Sequence, residues 1–450
     1  MRKVTTLVLV ALLIVGAVIG AAGCATSAPA TAVPTKASAP APTQASAPAG
    51  TQAATSTPSA PAQAAPAAGP ATPTKTLDVG FASVLTGPAA VIGTGLRKGF
   101  VLAVEDQNAK GGVTIGGEKY KINVIEADTK GDPAVGKTVA ENLVYEKKVK
   151  LVAGPYSGDA ITSQAVYEAN KVLLYMIAPM GPGTTGPDKP YTFFFGRHND
   201  QQYAGPAAYT QAHYPEAKRV VTIMPDVPHA AAFEMAAKKL IPKYGMTQVA
   251  LEKVPVDTQD FNPVIGRILA QKPDVVDTSN MGATMGAGGA LFMKQLRQAG
   301  YNGIIWTIAP PPLPLLEQMV PPEQRDKIIS NELDINGPIV TPAWRDVWQR
   351  IEKKYPGEIV IEPTITLYDA TMAFFSFLDG QKTLDGEQLM QGFAKYKWKT
   401  LWGTENTWVG KPTLGIDRMR VGNGWVSEFI NGKMVTKWEA PPPMDTFVAQ

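Results

Sequence analysis

Three histidines, His198, His213 and His229, and a single cysteine, Cys24, are the most reactive groups this chain offers. Metal-assisted hydrolysis would call for a HExxH-like pair, and acyl transfer for a GxSxG nucleophile with a nearby base. Neither pattern occurs. One cysteine also excludes a disulfide framework, a CxxC redox pair and a cysteine-rich zinc site. Two glycine-rich stretches remain. Gly93-Thr94-Gly95-Leu96-Arg97-Lys98-Gly99 spaces its glycines one residue wider than a dinucleotide fingerprint and follows its strand after a long loop. The loop with Gly282, Gly286, Gly288 and Gly289 has no P-loop lysine or hydroxyl, and reads as a flexible rim. No enzyme, cofactor or metal is expected. The residue types suit binding: Trp306 directly after an apolar run, either on a cleft wall or in a core, and His229 at a helix start, either donating to a ligand or solvated.

The chain has 450 residues, with 42 Lys and Arg against 39 Asp and Glu, a formal charge of +3. That balance excludes a strongly basic coat for nucleic acid and an acidic disordered chain. Met1-Arg2-Lys3, the apolar run from Val4 to Gly20 and the small residues Ala21-Ala22-Gly23 have the order of an export signal, expected over residues 1–23. The run could also stay uncleaved as a transmembrane anchor. The Gly23-Cys24 junction resembles a bacterial lipobox, which implies a lipidated Cys24 and a body held outside the cytoplasmic membrane. Residues 24–74 are almost entirely Ala, Pro, Thr, Ser, Gln and Gly, and are expected to form a disordered, proline-stiffened tether.

From Lys75 the pattern changes to apolar runs alternating with helical spacing. Strands are predicted at Leu77–Phe81, Tyr120–Glu126, Lys150–Gly154 and Leu173–Ala178, with helices at Gly93–Asn108, Pro133–Tyr145 and Ser163–Asn170 between them. The alternation restarts after Asp200, with strands at Arg219–Met224, Gln248–Pro255, Asp274–Thr278 and Gly303–Ile308. Helices are predicted at Gly205–Tyr214, Ala230–Tyr244, Asn262–Gln271 and Gly289–Ala299. Near the end, Asn431-Gly432 between two alternating runs signals a hairpin. The predicted fold class is α/β: two doubly wound lobes, with a ligand cleft where the carboxyl ends of their strands face each other.

From Leu77 onward the chain resembles the periplasmic solute-binding proteins of the branched-chain amino acid (leucine/isoleucine/valine) ABC transporter family, type I fold. The resemblance rests on Val84-Leu85-Thr86-Gly87-Pro88 with Gly93 opening a helix, Val104–Val113, Asp128–Pro133, Val152-Ala153-Gly154-Pro155-Tyr156-Ser157 and Tyr368-Asp369-Ala370, in that order. It implies three hinge crossings, near Arg197, near Ser330 and just before the terminal hairpin. The lobes would be 75–197 plus 332–420 and 198–331 plus 421–450. It also implies a permease and ATPases as partners, a monomer, and a small-molecule solute in place of nucleic acid.

By the same resemblance, the loop Tyr156-Ser157-Gly158-Asp159 takes the ligand's carboxylate through a hydroxyl and the amides at a helix N-terminus. The second loop supplies Met180, Gly181 and Thr184. The family's first-loop aromatic corresponds to Ile92, a later tyrosine to His229, and the acid that pairs with the ligand's ammonium to about Ala309. An ammonium would then need another acid; Asp159 is the candidate, otherwise a helix cap. Tyr156, Met180, Met281 and Trp306 would line the cleft and suit an amino-acid-like solute or an apolar or aromatic carboxylate. The expected function is therefore an extracytoplasmic lipoprotein delivering a small solute to an ABC importer. A ligand-sensing receptor component is the alternative, and an extracytoplasmic hydrolase a weaker one.

Overall fold

The computed structural model describes residues 75–87, 89–156, 158–177, 184–227, 230–420 and 424–440. Its first half builds one α/β layer: β1 (Lys75–Ser83), α1 (Ala90–Ala109), β2 (Val113–Ile115), β3 (Glu118–Asp128), α2 (Pro133–Glu141), β4 (Leu151–Ala153), α3 (Gly158–Ala169), β5 (Leu173–Met176) and β6 (Thr192–Phe194). The second is built from α4 (Asn199–His213), β7 (Arg219–Pro225), α5 (Ala230–Lys243), β8 (Thr247–Val254), α6 (Asn262–Ala270), β9 (Val275–Asp277), α7 (Met281–Met285), α8 (Ala287–Gln298), β10 (Ile304–Thr307), α9 (Leu313–Met319) and β11 (Ile328–Ser330). The chain then returns to the first layer with α10 (Pro342–Lys354), α11 (Glu362–Leu378) and α12 (Gly386–Phe393). After these come a small hairpin of β12 (Trp398–Lys399) and β13 (Glu405–Asn406), then β14 (Trp408–Val409) and β15 (Met419–Arg420). It ends in the second layer with β16 (Gly424–Ile430) and β17 (Lys433–Ala440).

Strand order in the first sheet is β14-β15-β6-β5-β4-β1-β3-β2, and in the second β17-β16-β11-β10-β9-β7-β8. The central pairings of both are parallel: β3, β1, β4, β5 and β6 in the first, and β8, β7, β9, β10 and β11 in the second. Antiparallel strands close the edges, as when β16 joins β11 and β17. Parallel strands need helices on both faces, and this explains runs such as Leu151–Ala153 and Ile304–Thr307 that are buried at every position. The expected α/β class and two doubly wound lobes are what the chain forms.

Chain order reverses between β1 and β4 in the first sheet and between β7 and β9 in the second. These are the switch points where neighbouring loops splay apart and leave a crevice. Helix α1 packs tightly beside the first of them. A Cβ on Gly93 would lie 1.9 Å from the Val84 carbonyl oxygen, and one on Gly99 1.9 Å from that of Thr364 in α11. These glycines permit close backbone contact, which explains the spacing that imitates a nucleotide motif. Trp344, buried in α10, stacks on Trp348 and packs against Trp402. The hairpin turn places Asn431 at φ 53° and Gly432 at φ 72°, the paired positive values of a type I′ turn.

Candidate functional site

The three passages between the lobes are tied to one another. Gln202 at the start of α4 donates its side-chain amide to the Arg197 carbonyl at 3.1 Å, and its own carbonyl accepts from Asn331 Nδ2 at 3.0 Å. The Asn331 carbonyl accepts from Trp425 Nε1 at 2.8 Å and from Arg197 at 3.3 Å. Arg197 also lies over the Trp425 ring, 4.5 Å from its centroid. Residues far apart in sequence thus form one hinge. His198 serves that hinge locally, capping α4 by accepting the Asp200 amide at 3.3 Å, and burial lowers its pKa.

Beside this hinge lies a cavity of about 1180 Å³, its solvent-filled mouth included. The first lobe contributes Ile92 and Leu96 of α1, Tyr156 after β4, Ile177 after β5 and the start of α11; the second contributes Phe233, Asn280, Ala283, Ala309 and Pro310. Most follow the carboxyl ends of strands, as the switch-point rule requires. The crossings add Arg197, Asn331, Glu332, Arg420 and Trp425. Apolar walls with a few convergent polar groups are the usual make-up of a small-molecule site.

The polar groups are concentrated at the hinge. Glu362 at the start of α11 accepts from Thr366 Oγ1 at 2.5 Å and lies 3.9 Å from Arg197. Arg420 is buried and donates to Asp369 at 3.4 Å, while its Nε finds no acceptor among the described residues. Burial lowers the Arg420 pKa and pushes Asp369 up to about 6, opposed by their mutual attraction. Glu332 is pushed up to about 7, first by burial and then by Glu362, with the Leu333 amide and Arg197 pulling the other way. Asn280 adopts φ 61°, a left-handed conformation that asparagine tolerates well, and its side-chain Nδ2 is also unpaired among the described residues. Three residues before it stands Asp277, at the end of β9. That buried carboxyl accepts from Tyr203 at 3.0 Å, Thr222 at 3.1 Å and Ser279 at 2.6 Å.

The residues expected from sequence are placed as follows. Tyr156 lines the cleft, and burial pushes its hydroxyl up to about 12. Asp159 in the first turn of α3 is fully buried against α2, where a Cβ on Gly136 would approach its Cβ to 2.7 Å. Among the described residues its oxygens make no close hydrogen bond, and burial, opposed by Thr129 and nearby amides, lifts its pKa to about 6. It is not one of the described residues that line the cleft. Thr184 is buried, with its carbonyl accepting from Gln164 in α3 at 2.7 Å, and it does not line the cavity. Trp306 and Met281 are fully buried in the second lobe's core and are not cleft walls, because each apolar side chain projects into the sheet–helix layer. Trp306 Nε1 bonds Thr210 at 2.9 Å. Gly158 opens α3. Ser157, Met180, Gly181, His229 and Cys24 lie outside the described residues.

The resemblance placed a crossing near Arg197, but Glu332, Glu362, Asn280 and Arg420 were not singled out. The available signal was positional: Asn331-Glu332 directly follow a buried strand at a crossing, where a charge needs a reason.

Residues 76–423 match the family described as periplasmic binding protein. Leu/Ile/Val-binding protein homolog 2 of Brucella abortus is 30% identical over 270 residues; the match covers 58% of this chain and 64% of that protein, so the chain spans somewhat under two thirds of its relative. Among solved structures, the branched-chain amino acid transporter substrate-binding protein LivJ of Streptococcus pneumoniae, in complex with isoleucine, superposes with a TM-score of 0.65. It is 20% identical, over 81% of this chain and 99% of that one. A solute-binding protein of an ABC transporter from R. palustris, in complex with 4-hydroxybenzoate, gives a TM-score of 0.67 at 21% identity, over 84% and 100%. With a family match running through both lobes and their shared cleft, this chain belongs to the periplasmic binding protein family.

Proposed function

We propose that this protein captures a small solute, amino-acid-like or an apolar or aromatic acid, in the cleft between its lobes and hands it unchanged to an ABC importer's permease and ATPases. The observation that carries the reading is a cavity lined by residues from both switch points and from the hinge. A solute touching Tyr156 on one side and Phe233 and Asn280 on the other would couple binding to hinge closure, and the closed form would be what the permease engages. The relatives support this: one bears a Leu/Ile/Val-binding name, one structure holds isoleucine and another 4-hydroxybenzoate. Export and lipidation at Cys24 complete the proposal, with residues 24–74 as a tether and the lobes drawn at 75–197 plus 332–420 and 198–331 plus 421–450. Among the described residues no helix is long and apolar enough to cross a membrane; the apolar run from Val4 to Gly20 lies outside them.

A thermal-shift screen of amino acids, amines and aromatic acids against the full chain tests it. A true solute at a hundred times its Kd adds about 2.7 kcal/mol of stability. A screen in which no member raises Tm, or recovery of a chemically altered ligand, would contradict the reading.

A further inference from the structure

Position 309, where the resemblance places an ammonium-binding acid, is alanine. The cleft carries acids elsewhere. Glu332 follows β11 in the second crossing, Glu362 opens α11, and both line the cavity. With Asp369 beneath them, three carboxylates share two guanidiniums. Asp369 is engaged by Arg420, and Arg197 faces Glu362 and stacks on Trp425. Glu332 has no cation within ion-pair distance among the described residues. It meets instead the like charge of Glu362, the more distant field of Arg197 and the Leu333 amide. A half-buried carboxylate in that position either keeps a proton or waits for a positive charge.

We propose that Glu332, backed by Glu362, receives a cationic nitrogen of the solute, whose apolar body packs on Tyr156, Phe233 and Trp425. The inference rests on the solute-binding reading and narrows it to ammonium-bearing ligands. An ammonium arriving at Glu332 must displace the proton that the carboxyl holds near neutrality, so binding releases a proton.

The test is calorimetric titration of the full chain with L-leucine, 3-methylbutylamine and 4-methylpentanoate, at pH 6.5 and 8.5 in buffers of different ionisation heat. It is repeated with Glu332→Gln and Glu362→Gln, whose folding is checked by circular dichroism. We expect leucine or the amine to bind with release of a substantial fraction of a proton at pH 6.5 and much less at pH 8.5. Glu332→Gln should weaken that probe at least about thirtyfold and abolish the release; Glu362→Gln should weaken it less. Binding by the amine alone would show that no carboxylate is required, and binding by leucine alone that one is. If 4-methylpentanoate binds and both amines fail, or if Glu332→Gln leaves proton release unchanged, the inference falls while solute binding stands. If none of the three binds and the wider screen is also silent, both fall.

Discussion

Glu332 faces a like charge without a close counter-ion among the described residues, and its protonation should be visible in stability as well as in binding. In the folded chain it holds its proton to about pH 7, and in the unfolded chain only to the ordinary glutamate range. Between those values the folded state binds more protons, so this group's contribution to stability falls as pH rises from about 4.5 to 7. Glu332→Gln should therefore stabilise the solute-free protein by about 1–3 kcal/mol at pH 8 and leave it little changed at pH 4.5, read from urea unfolding at the two pH values. Trp306 and Tyr156 separate core from site. Trp306→Phe removes the Nε1 bond to Thr210 inside the core and should cost about 1–3 kcal/mol of stability with ligand affinity unchanged. Tyr156→Ala, on the cleft wall, should weaken solute binding tenfold or more at a smaller cost in stability. Comparing Kd with unfolding free energy for the two variants checks this, and a reversed pattern would place Trp306 in the site.

Among the elements, the contact of α1 with α11 sets one wall of the cleft. Gly99→Ala would drive a methyl into the Thr364 carbonyl, prising α11 and Glu362 away; a loss of at least about 2 kcal/mol, measured by urea unfolding, is expected. The strands and helices around β1 to β10 were largely legible because buried parallel strands and amphipathic helices leave opposite periodicities. Boundaries moved where local chemistry intervened. α3 begins at Gly158, ahead of the predicted Ser163, and α4 begins at Asn199, ahead of Gly205, since His198 caps it. Helix α11 escaped because it is buried at nearly every position from Thr364 to Leu378 and so carries no polar face to reveal its period. The site was legible only in part for a related reason. Tyr156 sits in a recognisable loop, whereas Arg197, Glu332, Glu362 and Arg420 meet only because three separate crossings converge, and no local pattern encodes that convergence.

For the whole molecule, the fold and the family membership agree on a two-lobed binder, and the remaining claims concern what it holds and where. If Cys24 carries lipid, the wild-type protein should partition with membranes, and Cys24→Ser should be released to the soluble extracytoplasmic fraction; an unchanged membrane association would point to an uncleaved anchor. The central claim is that one solute occupies the hinge-floored cleft. Its most direct test is calorimetric titration of wild type and of Ala283→Trp, a variant that fills the cavity from α7, with the strongest hit of the thermal-shift screen. One saturable site per wild-type chain is expected, and loss of that site in Ala283→Trp with the fold retained. Undiminished binding by the filled variant would contradict it.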